Sequence, residues 1–240
     1  MAWQPRQLVD RLGGHPARSL EIDLESDSGL GSWLIAACLC AARVDEAVAL
    51  RAHGALRAAN CATAVDLAET DPARIASALA TVDYPKPEVA AVRLARVCGA
   101  LVERWDGSIS ALAAEALDLT EIGTRLTRLA PGLGPATALD FLRPLRDRFS
   151  AACETPLSPQ ALAAAEHLGW IQPGEDSEGE PGALRAALAD DPDAPALMDV
   201  EAALDRLGRR SCRRDRTARC PLGEECPRRG EGVAAPAPRE

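Results

Sequence analysis

From about residue 30 to residue 150, apolar residues recur three and four positions apart, as they do when short helices each bury one face. Small punctuators separate these stretches: GLGSW at 29–33, ETDPAR at 69–74, DYPKPE at 83–88, DGS at 106–108 and APGLG at 130–134. Two helix starts are legible in detail. Thr70 or Asp71 followed by Pro72 supplies a capping oxygen and then a ring that the first turn tolerates, and Ser158–Pro159 repeats the device ahead of a helix running to Gly169. Residues 173–196, rich in Pro, Gly, Glu, Asp and Ser, read as an acidic flexible loop, and 231–240 as a disordered tail.

Composition adds a fold class to the pattern. Ala, Leu, Arg and Glu dominate, β-branched runs are nearly absent and aromatics make up only 3%, so an all-α fold is expected. A chain of 240 residues, 47% of them hydrophobic, can bury a core without staples. The longest apolar run, WLIAACLCAA at 33–42, is too short to span a bilayer and too far along to be a signal peptide, which points to a cytoplasmic protein with no membrane partner. Eight cysteines in that setting suggest buried thiols or metal ligands rather than disulfides. Cysteines 38, 40, 61 and 98 fall in apolar stretches and read as core packing.

The net charge of −9 argues against an anionic partner only until its distribution is considered. Eight acids lie between 173 and 200 against Arg185 alone, whereas six arginines, Arg213 and Arg214 among them, lie between 209 and 219 against Asp215. Such arginines suit phosphates, which they grip in bidentate fashion.

The stretch LAPGLGPATA at 129–138 is the most informative. Gly132 and Gly134 permit positive φ and leave no Cβ to hold a ligand away, and Pro135 suits the first position of a new helix. A tight helix-hairpin-helix turn follows, with backbone N–H groups of Gly132, Leu133, Gly134, Ala136 and Thr137 and a positive helix end available to a phosphate. A plain αα-corner is the alternative reading of the same residues.

Five segments in order resemble one family. APGLGPATA at 130–138 is similar to the LPGVGxxTA hairpin of the helix-hairpin-helix (HhH-GPD) DNA glycosylase superfamily, and the neighbourhood is most similar to endonuclease III. WLIAACLCAARVDEAV at 33–48, DYPKPEVAAVRLARVC at 83–98, LSPQALAAAEHLGWI at 157–171, and LGRRSC followed by CPLGEEC resemble other segments of that family. The resemblance implies a two-lobed helical fold: a central bundle at 25–149 ending in the hairpin unit at 121–146, and a second lobe from 1–24 plus 150–230. It also implies a monomer that binds double-stranded DNA in base excision repair, extruding the target base into a cleft.

The departures from the family bear on chemistry. Where lyase-competent relatives carry a nucleophilic lysine this chain has Ala136, and its one lysine, Lys86, lies in a different segment. The family's aspartate falls on Ser158 when counted from the Leu168–Gly169 anchor, and on Glu154 when counted from the hairpin. Ala42 stands where the family has a glutamine that fills the gap left by an extruded base. Cys212, Cys220 and Cys226 match three of the four thiolates of the family's [4Fe-4S] loop, which leaves an open iron, a borrowed ligand such as Cys153, or no cluster at all, and zinc would need His167 or a carboxylate as a further donor. The expectation is a duplex-DNA-binding protein without lysine-dependent AP-lyase activity and with impaired glycosylase activity, a pseudoenzyme on a repair scaffold. Two alternatives stay open: an active monofunctional N-glycosylase using Glu154, and a helical protein-interaction module.

Overall fold

The computed structural model describes residues 4–40, 44–172, 179–189, 193–212 and 220–223. Among these residues the chain forms thirteen α-helices and no strand. In order they are α1 (Pro5–Leu12), α2 (Pro16–Ser19), α3 (Asp27–Cys40), α4 (Glu46–Ala58), α5 (Ala64–Glu69), α6 (Pro72–Ala80) and α7 (Pro87–Trp105). There follow α8 (Ile109–Ala114), α9 (Leu119–Thr127), α10 (Pro135–Leu142), α11 (Pro159–Leu168), α12 (Glu180–Ala189) and α13 (Leu197–Arg210). None is long and apolar enough to cross a membrane.

Local chemistry starts the helices where the sequence places the starts. Asp71 accepts from Ala73 N at 2.8 Å to cap α6, Ser158 Oγ accepts from Ala161 N at 3.0 Å to cap α11, and Pro135 is the first residue of α10. Gly169, with φ +74°, closes α11 in the left-handed conformation.

The chain divides into two compact units, 16–155 and 1–15 with 156–240. The divisions fall nine residues later in the sequence reading at the first crossing and six earlier at the second, at 24/25 and 149/150. The physical reason is packing: Leu20, Ile22 and Leu24 lie against the core of the central unit, and Ala151 and Ala152 are buried within it. In that unit α3 is apolar on all sides, with Leu30 and Leu34–Leu39 buried, so it forms the axis that α4, α5, α7, α8 and α10 surround. The indole of Trp33 donates to the Phe141 carbonyl at 3.0 Å and ties α3 to the end of α10. Burial pushes the Cys38 thiol up to about 11 and raises Cys98 as well, so both are protonated packing groups near neutral pH.

The second unit is built from both chain ends. Alanines 161, 164 and 165 of α11 are fully buried against α13, and α1 and α12 pack on the same helix. The close crossing of α11 and α13 depends on Gly208, where a Cβ would lie 2.0 Å from the Gln160 carbonyl oxygen. Arg206 holds α1 by donating to the carbonyls of Leu12, Gly13 and Gly14 at 3.2, 2.6 and 2.9 Å, while Asp199 accepts from His15 N at 2.8 Å.

One element corrects the sequence reading. A helix, α12, occupies Glu180–Ala189 within the stretch expected to be a flexible acidic loop, because Leu184 and Leu188 recur four apart on an Ala-rich segment and bury against the second unit's core. Residues 173–178 and 190–192 of that stretch, and the tail, lie outside the described residues.

Two predictions follow from this packing. Gly208→Ala will destabilise the second unit by about 3 kcal/mol, since the obstacle is backbone and cannot swing aside; a urea titration will read it as a lowered midpoint. His53, 2% exposed on α4 and hydrogen-bonded through Nε2 to Ser32 Oγ at 2.9 Å, is held below the ordinary value of 6.5, first by burial and then by Arg57. The unfolded chain therefore binds the proton more tightly, so stability is complete above the unfolded value and falls as pH drops through about 6.5. His53→Gln will flatten that part of the stability–pH curve.

Candidate nucleic-acid interface

The hairpin is built by α9, a seven-residue connection and α10. Asp118 caps α9 by accepting from Glu121 N at 2.8 Å, and Ile122 and Leu126 bury its inner face. In the connection Leu129, Ala130 and Leu133 are buried while Pro131 and Gly132 face solvent, so three apolar anchors hold an exposed tip. Leu133 N donates to the Ala130 carbonyl at 3.2 Å and closes the turn. Pro135 and Ala136, the first two residues of α10, are also exposed.

The two glycines have different reasons to be glycine, which corrects the expectation that both serve positive φ. Gly132 has φ +97°, and a Cβ there would meet the stem of Arg93 at 3.5 Å. Gly134 caps α10 with φ −83° and ψ 169°, and a Cβ on it would meet nothing within 4 Å. Neither backbone strain nor internal crowding accounts for its bareness.

Polar groups at the tip lack partners inside the protein. The N–H groups of Gly132, Gly134, Ala136 and Thr137 donate to no acceptor among the described residues, as the first turn of a helix requires. Thr137 is 8% exposed, and its hydroxyl likewise has no partner yet is not sealed from solvent. Four amides and one hydroxyl without partners thus lie within six residues of one another, at the tip and at the positive end of α10.

The cations beside this surface were not singled out from the sequence. Arg128, exposed, caps α9 three residues before Pro131; Arg96, exposed on α7, lies between the two places where that helix meets the hairpin, Arg93 beneath Gly132 and Arg104 Nη1 at 3.1 Å from the Arg128 carbonyl. Neither guanidinium has an internal acceptor among the described residues. Arg128 could have been found from its offset to the glycines; Arg96 is placed only by the packing of α7. By contrast Arg125 is engaged with Glu121 and with the carbonyls of Leu112 and Glu115, and Arg143 with Asp140.

The other sequence-derived positions are dispersed. Ala136 presents only a methyl group to solvent, at the position where the family resemblance implies a nucleophile. Glu154 is an exposed carboxylate in the hairpin's own unit, next to the buried Thr155, whose hydroxyl donates to the Ala152 carbonyl at 2.6 Å. Ser158 belongs to the other unit and is 5% exposed; its hydroxyl accepts from Ala161 N and donates to Asp205, while its own N–H donates to Glu201 at 3.3 Å. Asp205 in turn pairs with Arg209. Ser158 is therefore spent on capping α11 and on binding it to α13. Lys86 is exposed at the start of α7 in the left-handed conformation, φ +51°. Ala42, Arg213, Arg214 and Cys226 lie outside the described residues.

Among the described residues no group of three or more His, Cys, Asp or Glu side chains could hold a metal ion. Cys212 is half-buried and Cys220 buried, and both pack on the apolar core of the second unit beside Leu222. Cys153 is exposed in the central unit. Cys226, the third cysteine of the expected set, lies outside the described residues.

A scan of protein-family models gives no match to this chain, and neither curated proteins nor solved structures match it. By its own geometry the hairpin offers unpartnered N–H donors suited to an anion and carries no lysine.

The capping role of Ser158 is directly measurable. Ser158→Ala will lower stability by about 1–2 kcal/mol in a urea titration through loss of the cap and of the Asp205 bond. A smaller change would reopen Ser158 as a residue kept for another purpose.

Proposed function

We propose that this protein binds duplex DNA through the hairpin at 128–137, on a scaffold of the endonuclease III-like base-excision type, without a lysine-dependent strand-cleaving step and with base excision impaired. The observation that carries the reading is the tip itself: four N–H groups and the Thr137 hydroxyl stand unpartnered around Gly134, a glycine that nothing inside the protein requires. A backbone phosphate fits that pattern, since it offers several acceptor oxygens to converging donors and its charge is favoured at a helix N-terminus. A Cβ at 134 would stand between the amides and the ligand. Gly is acceptable at a helix cap, but Ser, Thr or Asp would cap α10 better, so the bare residue serves the outer surface at the expense of the inner one.

Contacts of this kind position a protein on DNA and do not read its bases. Arg128, at the end of α9, supplies an exposed cation next to the tip in the chain, and Arg96 an exposed one on α7, the helix whose Arg93 lies under Gly132, so the net charge of −9 does not decide the matter. Chemistry at the sugar is a weaker expectation. Ala136 cannot form a Schiff base, Ser158 is engaged with Asp205, and the exposed carboxylate of Glu154 has no neighbouring base or acid within the hydrogen bonds described to tune it. The distinction from a protein-interaction module is electrostatic: a phosphate grip weakens steeply with salt, whereas an apolar contact does not.

Gly134→Asp separates this reading from a loss of folding. At φ −83° an aspartate is a good helix cap and meets no internal atom, so thermal stability will be unchanged or raised by a few tenths of a kcal/mol. Its carboxylate will occupy the amides and repel a strand, so affinity for a duplex oligonucleotide, measured by fluorescence anisotropy at low salt, will fall at least about tenfold. Wild-type protein that shows no salt-sensitive duplex binding, or a Gly134→Asp variant that binds as well as wild type, would remove the proposal.

A further inference from the structure

The geometry points to Arg93 as the positioning residue of the hairpin, a side chain that sets the direction of the tip's amides without itself facing the strand; this rests on the phosphate-grip reading above. Arg93 lies on α7, 39 positions before Gly132 in the chain. Its Cδ is the nearest atom beneath Gly132, 3.5 Å from where a Cβ would stand, and Gly132 is the tip residue whose φ of +97° reverses the chain. Its Nη2 donates to the Cys38 carbonyl at 2.7 Å, in the last turn of α3. The guanidinium also lies against the Tyr84 hydroxyl, which donates to the next carbonyl, Leu39, at 2.7 Å. The head of Arg93 is therefore fixed to the axial helix of the unit, and its stem passes under Gly132.

A polar atom left without a partner fits this role. Arg93 Nε is buried and makes no hydrogen bond. Leaving a buried N–H unsatisfied is unfavourable, and the arrangement persists because the stem's position is dictated by packing under Gly132 and the head's by the carbonyl of Cys38. A shorter side chain could keep the bond to Cys38 or the support of Gly132, but not both. With the stem removed, the tip keeps its buried anchors Leu129, Ala130 and Leu133, so the fold survives while the segment 131–132, which carries the free N–H of Gly132 and leads into Gly134, loses its floor. Displacing donors by a fraction of an ångström is enough to spoil convergence on one phosphate.

The test compares wild type, Arg93→Gln and Arg93→Lys for duplex binding over a series of salt concentrations, at a temperature where thermal melts show each fully folded. Glutamine keeps a donor but cannot span from α3 to Gly132; lysine keeps the length and one donor. Expected results are an affinity about tenfold lower for Arg93→Gln, a partial recovery in Arg93→Lys, and the same slope of log K against log salt for all three, since no phosphate contact is lost. A slope reduced by about one in Arg93→Gln would mean that Arg93 touches a phosphate itself and would overturn the positioning role. So would a folded Arg93→Gln that binds as wild type does. Failure of the wild-type protein to bind duplex at low salt is a separate outcome, which sinks the phosphate grip before any variant is made.

Discussion

Arginine reaching across to the carbonyl end of a neighbouring helix is the interaction on which this structure depends. A fold of many short helices has many C-termini, and each leaves up to four carbonyls without an intrahelical donor. Here Arg206 serves the end of α1, Arg93 that of α3, Arg74 that of α4 through Ala59, Arg125 that of α8 through Leu112 and Glu115, and Arg104 that of α9 through Arg128. Arg146, 3% exposed, closes the central unit by donating to the Thr155 and Arg143 carbonyls. The task suits a long side chain that ends in a planar group of five donors. It gives a physical reason for a chain with 27 basic residues of which Lys86 alone is lysine.

This use of arginine changes what the charge of the protein means. The guanidiniums named above are committed to backbone oxygens, where they also favour the negative end of the helix they cap. They are not available to an anionic partner, and counting them would overstate the protein's basicity toward one. Arg128 at the end of α9 and Arg96 on α7 are exposed and have no internal acceptor among the described residues.

The same economy of side chains separates holding from reacting. At the tip, Ala136 offers only a methyl group and Gly134 no side chain, while Thr137 carries a hydroxyl. At the start of α11, Ser158 turns inward to Ala161 and Asp205, a structural task that an ionised carboxylate so close to Asp205 would perform poorly because of like-charge repulsion.

The sequence by itself determined what is decided within a few residues. The Asp71–Pro72 and Ser158–Pro159 starts, Pro135 at the head of α10, Gly169 at the end of α11 and the open hairpin at 129–138 all follow from caps and ring constraints that act over one turn. It also determined the all-α class, through helical spacing and the scarcity of β-branched runs. Tertiary structure decided the remainder, because the deciding contacts join distant positions. Nothing local shows that Gly134 is extended while Gly132 is left-handed, since either glycine permits both; the buried Leu133 and the stem of Arg93 select between them. Composition alone reads the acidic stretch as a loop, yet Leu184 and Leu188 find an apolar surface made by other helices and form α12. The role of Ser158 was hidden in the same way, because its partner Asp205 is 47 positions away and only packing of α11 on α13 brings the two together.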